Sequence, residues 1–397
     1  MSNMLTWLGS SRRRRGTVSV LCLLATAAGC SLSPGLLIDA PDYDPTLLSG
    51  ERIFDEPLSR DELPVLAVNE PSEAMRAYVA ARVPETPSHT RRFRHLFKNL
   101  HDDGYFTAVY SANQTLTAAE AFEAQGGNCL SYTNMFVALA RAAGLQAHYQ
   151  IVDTPANWDA DSGFLIRYTH INVLLENVQM GARLGEDLII DFNDVHPEQD
   201  HPRQIVSDAY AESLFYANHS VRLLRDGRHR QSFAWLRRAL DIAPQNVDLW
   251  INLGAFYATM GDPESSIEAY EVALQLDSRN KSAFSGLARS HRTLGNEALA
   301  DDYERRVRHY RERNPYYHYA LAQAAYETAD YPGALDSINS AIDLRYRTAR
   351  FHLLKGLVEQ QLGDVESAED SFRRAERYGL DRRVKIDLLR SLAGVTS

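Results

Sequence analysis

Three residues with reactive side chains occur along the chain in the order cysteine, histidine, aspartate. Cys129 begins a predicted helix, His170 lies on a predicted strand, and Asp191 lies on the next strand. Neighbouring antiparallel strands bring the histidine beside the aspartate, and a helix packed on that sheet brings the cysteine to the imidazole. There His170 accepts the thiol proton, while Asp191 orients the ring and stabilises the imidazolium. The pattern predicts an activated thiolate nucleophile.

Two helix signals surround the cysteine. Thr117 and Glu120 form a capping box that opens a short helix. A second helix is predicted over 129–143, with Gly144 as its C-terminal cap. Cys129 therefore lies in a first helical turn, where backbone N–H groups and the helix dipole stabilise a thiolate.

Three strands follow, predicted at 145–151, 166–176 and 188–193 from their alternation of apolar and polar residues. His170 and Asn172 share one face of the second strand. Helices followed by a small antiparallel sheet indicate an α+β domain, which we place at residues 72–200.

These residues resemble the transglutaminase-like superfamily, which has a papain-like cysteine fold. The matching segments are Gly127–Gly144, His170–Val173 and Ile190–Asp191. The resemblance implies that Cys129 is the nucleophile, His170 the base and Asp191 the orienting acid. It also implies thiolate attack on an amide carbonyl, a thioester intermediate, and transfer to water or to an amine. Family members include cross-linking enzymes, peptidases and amide hydrolases.

The donors that stabilise the oxyanion are less specific in the sequence. The backbone N–H of Cys129 is one candidate, and Asn128 or Gln114 is a candidate for a second donor. Asn172 and Trp158 are further candidates for residues that surround the site. No cofactor is expected.

A metal site is not predicted. His196, Asp200 and His201 have ligand-type side chains, but Pro197 and Pro202 next to them favour a polar loop between domains.

The C-terminal half repeats with a fixed period of 34 residues. Small residues mark the predicted turn of each unit: Gly227, Gly261, Gly295, Ala329 and Gly363. The clearest unit begins with Trp250, Leu253, Gly254 and Tyr257. It resembles the tetratricopeptide repeat, which implies about five stacked helical hairpins, an all-α solenoid, over 205–397.

Stacked helical hairpins form a concave groove, and two interpretations stay open for it. The groove binds a protein or peptide, with Tyr316, Tyr317 and Tyr319 as possible lining residues, or the array only supports the first domain. The basic run within 305–313 is interpreted as a solvated helix face.

The N-terminus has the pattern of an export signal. Arginines at 12–15 precede an apolar stretch at 17–28, and small residues lead directly to Cys30. This resembles the lipobox of bacterial lipoproteins, in which the peptidase cuts before the cysteine and a lipid is attached to its sulfur. Ser31 after it favours the outer membrane over retention at the inner one. An ordinary secretory signal with an incidental cysteine is the alternative.

Residues 1–29 are therefore predicted to be a signal peptide, and Cys30 a lipidation site. Residues 31–70 contain nine acidic residues, two Arg and five Pro. We predict that 30–71 is an extended, solvated tether. Of the three cysteines, Cys22 leaves with the signal, so Cys129 is the remaining thiol.

The formal net charge of −10 argues against a nucleic-acid partner, which requires a basic face. The expected function is that of an envelope-anchored cysteine peptidase or amidase facing the periplasm, with the repeats binding a substrate or envelope partners. A non-catalytic assembly lipoprotein and a transamidase are the alternatives.

Overall fold

The computed structural model of the protein describes residues 41–106, 111, 114–152, 158–161, 164–167, 170–178, 187–192 and 203–378. An α+β domain occupies the first part of the described residues, and stacked helices form the second part. The architecture predicted from the sequence is confirmed.

The α+β domain and the segment before it contain five α-helices and six strands among the described residues. The helices are α1 (Glu51–Phe54), α2 (Glu73–Arg82), α3 (His89–Asp102), α4 (Ala118–Ala124) and α5 (Cys129–Ala142). The strands are β1 (Ala147–Val152), β2 (Trp158–Asp161), β3 (Phe164–Arg167), β4 (His170–Leu175), β5 (Leu188–Ile190) and β6 (Arg203–Val206). Helices α4 and α5 lie where the capping signals predict them.

Four strands form one antiparallel sheet in the order β5-β4-β1-β6, and β2 pairs with β3 in a separate hairpin. The strand predicted at 166–176 is therefore two strands in two sheets, because the chain leaves the hairpin at Arg167 and joins β1 and β5 from His170. Apolar alternation runs through both strands and does not mark this change of partner. The edge strand β6 was not predicted, and its last two residues lie in the range that we assigned to the repeats.

Helix α5 forms the centre of the domain. It packs against β1 and β4, and residues 130–140 are all buried. All six residues of β4 are buried as well. The first residues of α5 and of β4 are therefore attached to a closely packed core, which restricts the movement of their side chains.

The second part contains five helical hairpins within the described residues. Their helices are α6 (Asp208–Arg225), α7 (His229–Ile242), α8 (Val247–Thr259), α9 (Pro263–Leu276), α10 (Lys281–Thr293), α11 (Glu297–Glu312), α12 (Pro315–Glu327), α13 (Tyr331–Leu344), α14 (Ala349–Gln361) and α15 (Val365–Arg377). Each consecutive pair packs as a hairpin. Each hairpin corresponds to one predicted 34-residue unit.

The small residues of the period lie at turns and at close contacts between helices. The turn residue of every unit has a positive φ, including Ala329 at 60°. At Gly254, an added Cβ would lie 2.7 Å from Tyr270 Cε1 of the facing helix. Glycine therefore allows the helices of the second hairpin to approach closely.

Residues 41–62, which we call the N-terminal segment, pack against the first two hairpins. Leu47 and Leu48 are buried, and the Tyr257 hydroxyl donates to the backbone oxygen of Leu47 at 2.7 Å. The guanidinium of Arg52 lies 2.9 Å from a carboxylate oxygen of Glu268. These contacts join the segment to α8 and α9.

The structure corrects the predicted tether at 30–71 for the residues it describes. The acidic and proline content indicated a solvated chain, but apolar side chains within it bury against the repeats, and several of its charges are paired. Arg230 of α7 contacts Glu62 at 2.6 Å, and this hydrogen bond lowers the pKa of Glu62 to about 2. Composition averaged over the segment conceals these local contacts.

Several predictions lie outside the described residues. These are the signal peptide at 1–29, the lipidation site Cys30, and the polar loop with His196, Asp200 and His201. Among the residues that are described, no helix has the length and apolar character needed to cross a bilayer.

Candidate active site

Cys129 is the first residue of α5, and Asn128 is the N-cap of that helix. Asn128 Oδ1 accepts hydrogen bonds from the Ser131 backbone N at 3.0 Å and from Ser131 Oγ at 2.9 Å. This cap defines where the helix begins. Cys129 is partly buried at the helix end where the dipole favours negative charge. The position suits a thiolate.

The segment from Gln114 to Leu116 lies beside this helix start. The backbone N of Asn128 donates to the Gln114 backbone O at 3.0 Å. Asn128 Nδ2 donates to Thr115 Oγ1 at 2.7 Å, and the Leu116 N–H donates to Ser131 Oγ at 2.8 Å. These bonds join residues distant in sequence into one rigid support for the first turn of α5.

The same contacts bear on the predicted oxyanion donors. Both ends of the Asn128 carboxamide make structural hydrogen bonds, so its geometry favours capping over contact with a substrate. Gln114 contacts the helix start through its backbone oxygen, which accepts from the Asn128 backbone N, and the residue is exposed. The backbone N–H of Cys129 remains the donor proposed from the sequence.

Gly127 has a backbone and a neighbour that exclude a side chain. Its φ is +127°, and an added Cβ would lie 2.5 Å from Ser131 Cβ. The Gly-Asn-Cys start of the helix therefore has a steric cause, because Ser131 must reach past Gly127 to the cap.

Substituting Gly127 by alanine is expected to destabilise the protein by about 1–3 kcal/mol, since both backbone strain and the clash oppose it. Urea unfolding measures the change. The matched control is Gly126→Ala, because Gly126 is not among the glycines with positive φ. Equal stability of the two variants would contradict this account of the turn.

His170 and Asp191 form a close pair. His170 Nε2 lies 2.6 Å from Asp191 Oδ2, and the two side chains are 5% and 16% exposed. His170 is the first residue of β4, and Asp191 directly follows β5. The pairing of Val173 with Ile190 brings the two residues to the same end of the strands. The predicted contact between histidine and aspartate is present.

Ring geometry assigns the two nitrogens of His170 to different tasks. Nε2 faces the carboxylate, so a neutral ring holds its proton there and presents Nδ1 as the basic atom. Helix α5, which Cys129 begins, packs directly against β4, which His170 begins. This arrangement suits transfer of the thiol proton to Nδ1.

Asn172 belongs to β4, whereas Trp158 belongs to β2. Asn172 is 1% exposed, and its Nδ2 lies 3.4 Å from Asp191 Oδ2, so it lies next to the carboxylate. Trp158 begins β2, and this hairpin immediately precedes His170 in the chain.

Sequence reasoning missed Thr115 and Ser131. For Ser131 the local signal is its place three positions after the Asn128 cap, a spacing typical of N-terminal capping. Thr115 carries no such signal, because its hydrogen bond to Asn128 spans 13 positions of the chain.

The described residues contain no group of three or more histidine, cysteine, aspartate or glutamate side chains arranged to hold a metal ion. The loop that carries His196, Asp200 and His201 is outside them.

Family models match both parts of the chain. Residues 77–177 match the transglutaminase-like superfamily, and 247–280 and 319–381 match tetratricopeptide repeats. The protein therefore contains a transglutaminase-like domain followed by tetratricopeptide repeats. Cys129 and His170 lie within the first match, whereas Asp191 lies beyond its end.

Several solved structures are similar to part of the chain. A crystal structure of MamA is 19% identical, covering 42% of this chain and 91% of that one, with a TM-score of 0.24. MamA from Desulfovibrio magneticus RS-1 is 17% identical, covering 43% and 96%, with a TM-score of 0.25. YrrB, described as a TPR protein with an unusual peptide-binding site, is 16% identical, covering 45% and 92%, with a TM-score of 0.24. No curated protein sequence matches the chain.

Proposed function

We propose that the protein is a cysteine amidase or peptidase in which Cys129 attacks an amide of a peptide or protein. The observation that carries the proposal is the 2.6 Å contact between His170 and Asp191. His170 begins β4, and β4 packs against α5. A base with an orienting carboxylate beside a helix that begins with cysteine is the arrangement required for thiolate catalysis.

The reaction proceeds in two halves. The Cys129 thiol gives its proton to His170 Nδ1, and the thiolate attacks the carbonyl carbon to form a tetrahedral intermediate. His170 returns the proton to the leaving amine, which leaves a thioester on Cys129. Water then attacks the thioester with His170 as base, releasing a carboxylic acid and restoring the thiol.

Charge develops on the carbonyl oxygen during both halves. The backbone N–H of Cys129, at the N-terminus of α5, is the proposed donor to this oxyanion. The orientation of that N–H depends on the Asn128 cap. The proposal therefore gives Asn128 a positioning role.

The repeats are proposed to hold a protein or peptide partner near the site. The contact of β2 with α12 supports this, because the hairpin that leads to His170 then lies against the fourth helical hairpin. A polypeptide bound along the array would reach the site without a long linker.

The proposed location is the bacterial cell envelope, with a lipid anchor on Cys30 and the folded part in the periplasm. The motif at the N-terminus supports it. Mass spectrometry of the mature N-terminus is the test, and a first residue other than a lipid-modified Cys30 would contradict the anchor.

One experiment distinguishes hydrolysis from transfer and from a scaffold without activity. The protein is incubated with a proteome-derived peptide mixture in ¹⁸O-water, with and without a fluorescent alkylamine, beside Cys129→Ala. Hydrolysis predicts ¹⁸O in new carboxylates that depends on Cys129. Amine incorporation that depends on Cys129 would instead indicate a transamidase. The absence of both products would favour a scaffold without activity.

A further inference from the structure

The first helix of the repeat array contacts the loop that supports the nucleophile. His219 of α6 donates from Nε2 to the Thr115 backbone O at 2.9 Å. The neighbouring Asn218 donates from Nδ2 to Thr115 Oγ1 at 3.2 Å. Thr115 is 8% exposed and also accepts the hydrogen bond from Asn128 Nδ2. A chain of hydrogen bonds therefore connects α6 to the residue that precedes Cys129.

The donor role of His219 follows from its surroundings. Arg222 Nη2 lies 3.3 Å from His219 Nδ1, so Nδ1 accepts and the ring hydrogen is on Nε2. Burial lowers the pKa of His219, which keeps the ring neutral near pH 7. Phe215 and Trp235 hold the ring, each with its centroid 4.6 Å from that of the histidine.

Helix α6 also contacts the other end of α5. Arg141, in the last turn of α5, forms a hydrogen bond with Asp208 at the start of α6, at 2.8 Å. The two helices are thus joined near both ends of α5, which limits movement of one relative to the other.

We infer that His219 is a positioning residue for Cys129, so that the first repeat is an integral part of the active site. This inference rests on the proposed function. The hydrogen bond from His219 to Thr115 holds the threonine within reach of Asn128. Asn128 in turn caps the first turn of α5. A protein or peptide that binds the repeats and shifts α6 would then change the reactivity of Cys129.

Two substitutions at His219 separate the hydrogen bond from packing. His219→Phe keeps an aromatic ring against Trp235 but removes the donor, whereas His219→Gln supplies an amide N–H at a similar reach. The matched control is His352→Phe, because His352, in the fifth hairpin, also donates from a ring nitrogen to a backbone oxygen, that of Tyr346 at 2.7 Å.

The full chain is treated with iodoacetamide across a pH series, and mass spectrometry follows alkylation of the peptide that carries Cys129. For His219→Phe we expect alkylation at pH 7 to slow by roughly 3- to 10-fold, the effect of one hydrogen bond, with the midpoint of the pH profile moved upward. His219→Gln should recover most of the rate, and His352→Phe should match the wild type.

Hydrogen exchange at the Ser131 amide provides a second measurement, because that N–H donates to the Asn128 cap. Faster exchange at Ser131 in His219→Phe, but not in His352→Phe, supports the positioning role. It does so even if the wild-type thiol reacts like an ordinary one. An ordinary wild-type thiol would refute only the proposed catalysis. Unchanged alkylation and unchanged Ser131 exchange in His219→Phe would overturn the inference.

Discussion

Replacing Cys129 with alanine is expected to abolish amide cleavage, with a loss of about 10⁴-fold or more in kcat/KM, because no other group can form the thioester. The fold should be retained, since Cys129 is only partly buried at a helix end. Turnover of a peptide mixture and circular dichroism of the same samples measure the two effects. Cys129→Ser tests whether a weaker nucleophile at the same place retains a trace of activity.

The result distinguishes an enzyme from a scaffold. If Cys129→Ala retained wild-type cleavage, the activity would belong to another group or to a contaminant. If cells carrying Cys129→Ala also behaved as wild type while disruption of the repeat array did not, the scaffold interpretation would replace catalysis.

Changing Asp191 to asparagine is expected to lower kcat by about 10³- to 10⁴-fold. The carboxylate lies 2.6 Å from His170 Nε2 and holds the proton on that atom. An asparagine amide of similar shape can donate its N–H to Nε2, which favours the other tautomer of the ring. The ring proton then lies on Nδ1, the atom that must accept the thiol proton. Steady-state kinetics measure the loss.

The control for Asp191→Asn is Asp187→Asn, because Asp187 precedes the same strand and is exposed. Thermal unfolding of both variants separates lost catalysis from lost structure. An Asp191→Asn enzyme within tenfold of the wild type would show that His170 does not need the carboxylate for its tautomer.

Local signals made much of the site predictable. The capping box at Thr117, the helix that Cys129 begins and the Gly144 cap are all short-range patterns, and each has the predicted place. The contact of His170 with Asp191 follows from two strands close in sequence. Likewise, the turns of the repeats recur with one period and a positive φ.

Contacts between distant segments were not predictable. The bond from His219 to Thr115 spans 104 positions of the chain, and that from Tyr257 to Leu47 spans 210. Such pairs depend on how two domains dock, which no periodicity or composition reports. The acidic N-terminal segment was wrongly assigned to solvent for this reason, since its apolar residues find partners only on the assembled repeats.

The pH profile of alkylation by iodoacetamide tests whether Cys129 is an activated thiol, on which the proposed function rests. We expect the alkylation rate at Cys129 to rise with a midpoint between about pH 3.5 and 7.5, as for thiols at a helix N-terminus or beside a histidine. His170→Ala should move the midpoint upward. A wild-type rate that rises only through about pH 8.5, as for an ordinary thiol, would show that Cys129 is not activated.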